Sequence, residues 1–265
     1  MKDENNENQT AENKSKGILI TEGAELTVNL TMSASANGPN ITFGSDATSF
    51  LRQDLCRHWL RIALEHCLTA KQANLNLKLA NDEDNSDELS AALREEFTSS
   101  MQAIMASEIS LDSFYSSVKS RISIPEDQRN AWRQKRTPRW KQIAEVYRLG
   151  CGLKNCSMNG VRDGLQTIYR FRDYAVHPPA NMEKPIFHPD IERGVEWRFV
   201  AFRYSNACEA VHFTIDFLSR MSASPNSNFD SLKTYCENLE PAINNSAEIW
   251  NNNFPDQPIE SRNRD

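Results

Sequence analysis

Between residues 193 and 221 the apolar side chains recur at alternating steps of four and three: Trp197, Ala201, Tyr204, Cys208, Val211, Ile215 and Leu218. A strand turns its faces over every second residue, so it cannot bury that series together. A helix can, provided other helices cover the seam. Similar spacing runs through Leu51, Leu55, Trp59 and Ile62, behind a capping Ser45 or Asp46. It returns through Leu89, Leu93, Phe97, Met101 and Ile104, with a break expected near Ser107–Ser110 before Leu111, Phe114, Val118 and Ile122. Pro125 ends that stretch; a third covers about 126–150 with Pro138 as a kink or break, and a fourth covers 157–176. The expected fold class is mainly α, a bundle of four or five long helices.

Only 9 of the 265 residues are glycine. Phosphate-loop nucleotide folds and Greek-key sheets need many residues at positive φ, so this composition disfavours both. The formal charge is −6, from 30 Lys+Arg against 36 Asp+Glu. That excludes a protein that coats nucleic acid through bulk charge, but not one with a local basic groove.

The ends read differently from the middle. Residues 1–16 contain no apolar run and are expected to be a polar tail without a secretory signal. Residues 17–44 hold the one period-2 signal, Leu26, Val28, Leu30 and Met32 alternating with polar neighbours, and predict a small β-hairpin arm with Ile18–Thr21 and Ile41–Phe43 as partners. Such an arm needs a body or a second subunit to pack on. Residues 45–222 are the expected helical domain. Residues 223–265, rich in Asn, Ser and Pro, read as a largely disordered tail with a short helix near 229–239. No stretch reaches the length of a membrane span, and the six cysteines form no metal-ligand ladder, so a cytoplasmic location is expected.

The fourth helical stretch carries the chemistry. With Val161 at zero and about 100° per residue, Leu165 falls at about 40°, Ile168 at about −20° and Ala175 at about −40°. Arg172 falls at about 20°, inside this apolar stripe. A guanidinium there must be paired or line a wet crevice. Arg172 opens the run Arg172-Asp173-Tyr174-Ala175-Val176-His177, and Pro178 ends the helix at His177. An Arg, a carboxylate and an imidazole are thereby placed at one helix end. Two readings are open: a phosphate-handling site, or a bundle arginine paired with an acid on a neighbouring helix while His177 merely caps.

The run resembles the Rx4-6H signature of HEPN domains, in which a polar residue follows the Arg. A second copy of the spacing, Arg61 to His66, has apolar Ile62 after the Arg and lies mid-helix, so it is set aside. The resemblance implies a HEPN-like helical bundle over about 45–222, acting as a metal-independent endoribonuclease in toxin–antitoxin or phage-defence systems, or else as a non-catalytic scaffold that binds a partner. It implies a homodimer with a composite site, and a neutralising or regulatory protein partner. In the catalytic case RNA is cleaved by its own 2′-OH: His177 is general acid or base, Arg172 stabilises the phosphorane, Asp173 orients His177 or Arg172, and Tyr174 donates to phosphate.

Residues 119–148 contain nine basic and three acidic residues, a local +6, interleaved with Trp132, Trp140 and Tyr147. Cations for the backbone and aromatics for bases suit single-stranded RNA, with Arg133, Lys135, Arg136, Arg139 and Lys141 as the candidate contacts. The alternative is a solvated basic face balanced by the acidic 81–96 segment, with the tryptophans in the core. No cofactor and no metal site is expected. His188, between Phe187 and Pro189, is read as a loop contact rather than a ligand partner of His177.

Overall fold

The computed structural model describes residues 20–21, 24–29, 32–34, 41–43, 48–177 and 181–260. The chain divides into two compact units, Met1–Gln53 and Asp54–Asp265. The expected tail 1–16 and the strand partner at 18–19 lie outside the described residues.

In the first unit, β1 (Ala24–Asn29), β2 (Met32–Ala34), β3 (Ile41–Phe43) and β4 (Thr48–Gln53) form two antiparallel pairs, β1 with β4 and β2 with β3. Leu26 stands opposite Leu51 and Val28 opposite Ser49. The β structure therefore runs to Gln53, nine residues past the expected limit of the arm. The spacing of Leu51 and Leu55 predicts a helix here, and the structure has a strand. Thr48-Ser49-Phe50 is good strand sequence, and β1 offers it a complete ladder. The helix instead begins at Cys56, whose N–H is accepted by the Asp54 carboxylate at 3.1 Å.

The second unit opens with a long hairpin of α1 (Cys56–Asp82) and α2 (Ser86–Lys119). The acidic run sets the turn as expected: Asn85 caps α2 by accepting from the Glu88 N–H, with Asp87 and Glu88 in the first turn. The break expected near Ser107–Ser110 is absent, because these serines serve close packing. Ser110 is fully buried and its hydroxyl donates to the Cys56 carbonyl at 3.0 Å, so the small side chains bring α1 and α2 together.

Next come α3 (Glu126–Gln134) and α4 (Arg139–Gly150), separated at Pro138 as the sequence required. A single 3₁₀ turn at Asn155–Met158 leads into α5 (Asn159–Val176). A two-residue hairpin follows, β5 (Ile186–Phe187) with β6 (Gly194–Val195).

The seam expected as one helix over 193–221 is split into α6 (Trp197–Ala201) and α7 (Tyr204–Ala223). Phe202 causes the interruption. It is buried against Phe97 and Phe171, and the chain turns there to put it inside.

The expected C-terminal tail contains α8 (Asp230–Asn253), a 24-residue core helix. Leu232, Tyr235, Cys236, Leu239, Ile243 and Trp250 are all buried. The many Asn, Ser and Glu residues dilute the composition but sit largely on the outer face, which hid a helical period from a compositional reading. The observed fold is thus mainly α, with a small β arm. Its core is centred on Phe114, stacked on Tyr147 and Tyr235, with Phe217 edge-on to Tyr147.

Candidate functional site

On α5 the buried face is Leu165, Ile168 and Tyr169, while Val161, Arg172 and Ala175 are half-buried. Arg172 lies on this face near the open end of the helix, with its side chain 40% exposed. It donates from Nη1 to the Asp173 carboxylate at 3.2 Å. Across the interface it attracts Glu108 of α2. Its ion pair among the described residues is thus with its own sequence neighbour, and Glu108 acts on it through charge without a direct contact.

Glu108 belongs to a larger polar group. Burial pushes its carboxyl above the ordinary range and the neighbouring Asp112 adds to this; Arg172, the Tyr169 hydroxyl and Arg139 oppose it. Tyr169 donates to Asp112 at 3.0 Å. Arg139 is committed to the same Asp112 and lies over the Tyr115 ring at 4.0 Å. Arg139 is thus a structural cross-link between α2 and α4, with 39% of its side chain still exposed.

His177 is exposed just beyond α5, and its backbone N–H donates to the Asp173 carbonyl at 2.8 Å. Its imidazole has no hydrogen-bond or ion-pair partner among the described residues. The Asp173 carboxylate turns to Arg172 and not to the imidazole. Tyr174 packs edge-on against Trp197, with ring centroids 5.3 Å apart, so it helps hold α6 to α5.

Among the aromatics of the basic segment, Tyr147 is buried and donates to the Leu111 carbonyl, whereas Trp132 and Trp140 are half-buried. Arg133, Lys135, Arg136 and Lys141 are exposed. The Arg61–His66 pair lies mid-helix in α1, and Arg61 pairs with Glu65. A groove of about 290 Å³ between α5 and α7 is floored by Ile168, Phe171, Ala210 and Phe213. Asp163 and Glu209 also line it, and their charge repels a phosphate backbone.

His188 is no simple loop contact: it is fully buried, as is Glu96 at 1% exposure, and the two face each other at 3.7 Å. With Asp190 they offer three donor atoms within 4.8 Å of one another. The facing Glu96 Oε2 and His188 Nε2 have no hydrogen-bond partner among the described residues, while the remaining polar atoms of the group are engaged. Asp190 is already held by Lys78 at 3.3 Å and by Asn74 at 3.3 Å, and Glu96 Oε1 accepts from Asn74 and from the Tyr204 N–H. His188 Nδ1 accepts the Asp190 N–H, so in the neutral ring the proton sits on Nε2 and points at Glu96. The group is a latch that pins the β5–β6 hairpin to α1, α2 and α7.

Sequence reasoning passed over Glu96, Glu108, Asp112 and Tyr169. The wheel argument that isolated Arg172 finds the first of them when applied to α2: Glu96 lies in the series Leu89, Ala92, Ser99 and Ala103, at steps of three and four. No family model, curated protein or solved structure matches this chain.

Proposed function

We propose that the helical unit acts on RNA as a metal-independent endoribonuclease of HEPN type, with Arg172 and His177 as its catalytic pair. The carrying observation is the end of α5, where a half-exposed guanidinium on the buried stripe is followed five residues later, just past the helix, by an exposed, unpartnered imidazole. In this mechanism an imidazole takes the proton of the 2′-OH as that oxygen attacks the adjacent phosphorus. The guanidinium binds the charge gathering on the phosphorane, and the bond to the 5′-oxygen breaks. The departing oxygen takes a proton from a second imidazole, supplied by another copy of the chain across a twofold axis. The products are a 2′,3′-cyclic phosphate and a 5′-hydroxyl. Asp173 positions Arg172 in this scheme.

A second reading, a non-catalytic helical scaffold for a protein partner, is favoured by the engagement of Arg172 with Asp173 and Glu108 and by the backbone cap at His177. Incubation of the full chain with RNA in EDTA separates the two. Cleavage reduced by about 10²–10⁴-fold in both His177→Ala and Arg172→Ala supports the enzyme. Cleavage that survives both removes the site, and no cleavage by the wild type across structured and unstructured RNAs supports the scaffold.

A further inference from the structure

The end of α2, one face of α3 and the start of α4 enclose a notch of about 120 Å³ lined by Lys119, Arg129, Trp132, Arg133 and Gln142. Arg129, Trp132 and Arg133 are spaced i, i+3, i+4, which puts them on one side of α3. Nothing in α3 is fully buried, so this short helix contributes little to the core and presents charge outward.

No carboxylate lines the notch. Arg129 and Arg133 have no ion-pair partner among the described residues, and Lys119 only overhangs the Tyr115 ring at 5.5 Å. Gln142 is fixed as a wall, donating to the Thr137 carbonyl at 2.8 Å and accepting from the Tyr115 hydroxyl. The indole N–H of Trp132 has no acceptor among the described residues.

The acidic 81–96 segment cannot balance these charges. It occupies the far end of the α1–α2 hairpin, and α2, with 34 residues, is about 50 Å long at about 1.5 Å per residue. Even Glu96 is 23 residues from Lys119, roughly 35 Å along the helix. At physiological salt charges are screened over about 8 Å. The 81–96 acids are therefore out of reach, and the nearest acids on α3, Glu126 and Asp127, stand in its first turn outside the lining of the notch.

We infer that this notch is a phosphate-binding subsite for single-stranded RNA. Lys119, Arg129 and Arg133 take one backbone phosphate, and the Trp132 ring takes the adjoining base. The notch has the room of about four water molecules, enough for a phosphate group with its sugar and base outside. Three converging donors supply the charge, and an indole beside them supplies the stacking that distinguishes a nucleotide from a plain anion. The ligand identity rests on the RNA reading above; the site itself rests on this geometry.

The test is a titration of the full chain with a 2′-O-methyl single-stranded oligoribonucleotide, which binds but cannot be cleaved by 2′-OH attack. Inorganic phosphate and a polyglutamate peptide are the comparison ligands. Arg129→Ala or Arg133→Ala is expected to weaken oligonucleotide binding by about tenfold at low salt and to lower the slope of log K against log salt by about 0.7. Trp132→Ala is expected to weaken the oligonucleotide while leaving inorganic phosphate unchanged. Unaltered binding in both Arg variants overturns the subsite, and so does a polyglutamate peptide bound as tightly as the oligonucleotide. Circular dichroism of each variant checks the fold. The two proposals fail separately. Arg-dependent binding without any His177-dependent cleavage keeps the subsite and removes the enzyme, whereas His177-dependent cleavage indifferent to Arg129 and Arg133 does the reverse.

Discussion

Arg139 and Asp112 are joined by two parallel hydrogen bonds, Nε to Oδ1 at 2.7 Å and Nη2 to Oδ2 at 2.9 Å. The pair crosses from α4 to α2 beside the Tyr169 hydroxyl, and it turns a cation of the basic segment into a structural part. Arg139→Lys keeps the charge but loses the planar fork and its seat on Tyr115. Both side chains are more than a third exposed, so the expected loss is held to about 1 kcal/mol, read from urea midpoints. If the cross-link is the whole role of Arg139, RNA affinity of the folded variant should stay within about twofold of wild type; a larger drop would make Arg139 an RNA contact as well.

Arg136 closes α3 in the left-handed region, at φ 46°. The Thr137 N–H returns to the Trp132 carbonyl and the Arg136 N–H to the Arg133 carbonyl, a helix stop that glycine adopts without steric cost. Arg136→Gly is expected to raise stability by about 0.5–1 kcal/mol. Thermal melts measure this, and a loss of stability would mean that the Arg136 side chain holds the turn.

Ser107 is buried in α2 with a hydroxyl that has no hydrogen-bond partner among the described residues. Ser107→Ala removes an unmet polar group at little change of volume and improves helix propensity, so it is expected to stabilise by about 1 kcal/mol. Ser110, equally buried but bonded to the Cys56 carbonyl, provides the contrast, because Ser110→Ala should be neutral or destabilising. Parallel urea titrations of the two variants read the difference.

Two glycines of α5 should respond oppositely to alanine. A Cβ at Gly164 would sit 2.2 Å from the Phe213 ring, which is itself stacked on Phe217; a Cβ at Gly160 meets nothing within 4 Å. Gly164→Ala is expected to cost about 1–3 kcal/mol through forced repacking of α5 on α7. Gly160→Ala should gain about 0.5–1 kcal/mol. Equal effects in a thermal-melt series would contradict this account of the α5–α7 approach.

The Glu96–His188 latch predicts a pH dependence. Burial raises the Glu96 carboxyl above its ordinary 4.5, although the Tyr204 N–H and Asn74 resist this. The stability it contributes is complete below 4.5 and is lost as pH rises through the raised value. Burial also lowers the His188 pKa from its ordinary 6.5, so that contribution is complete above 6.5 and is lost as pH falls. Asp190, Lys78 and Arg203 also act on this imidazole. Glu96→Gln keeps an oxygen for Asn74 and Tyr204 and removes the charge. Its stability relative to wild type should therefore improve as pH rises from 4.5 through the raised value. A difference in urea midpoint that does not change with pH would mean that Glu96 titrates in the fold as it does in the unfolded chain.

Much of this was legible in the residues. The helical class, the acidic turn before Ser86, the stop at Pro138 and the end of α5 at His177 follow from period, capping and proline, which act over a few residues. Arg172 was singled out by wheel arithmetic, and its ion pair is with Asp173, its sequence neighbour. Local signals failed where two elements competed for the same segment. Residues 48–53 carry helix spacing but pair with β1; Phe202 leaves a helical seam to reach Phe97 and Phe171; and the Asn-rich stretch after Asp230 hides a core helix behind its polar face.

Sequence alone determined which faces are apolar, where helices start and stop, and that a guanidinium on the inner stripe of α5 required an acidic or wet neighbour. Only the tertiary structure decided which neighbour. Glu108, whose charge attracts Arg172, and Asp112, which accepts from Tyr169 on the same helix, both come from α2, more than 55 positions earlier, and their meeting with α5 depends on how helices pack across the bundle. The same holds for the basic segment: its composition is local, but the division into a cross-linking Arg139 and a notch at Lys119, Arg129 and Arg133 with no carboxylate in its lining depends on which cations α2 happens to face with a carboxylate.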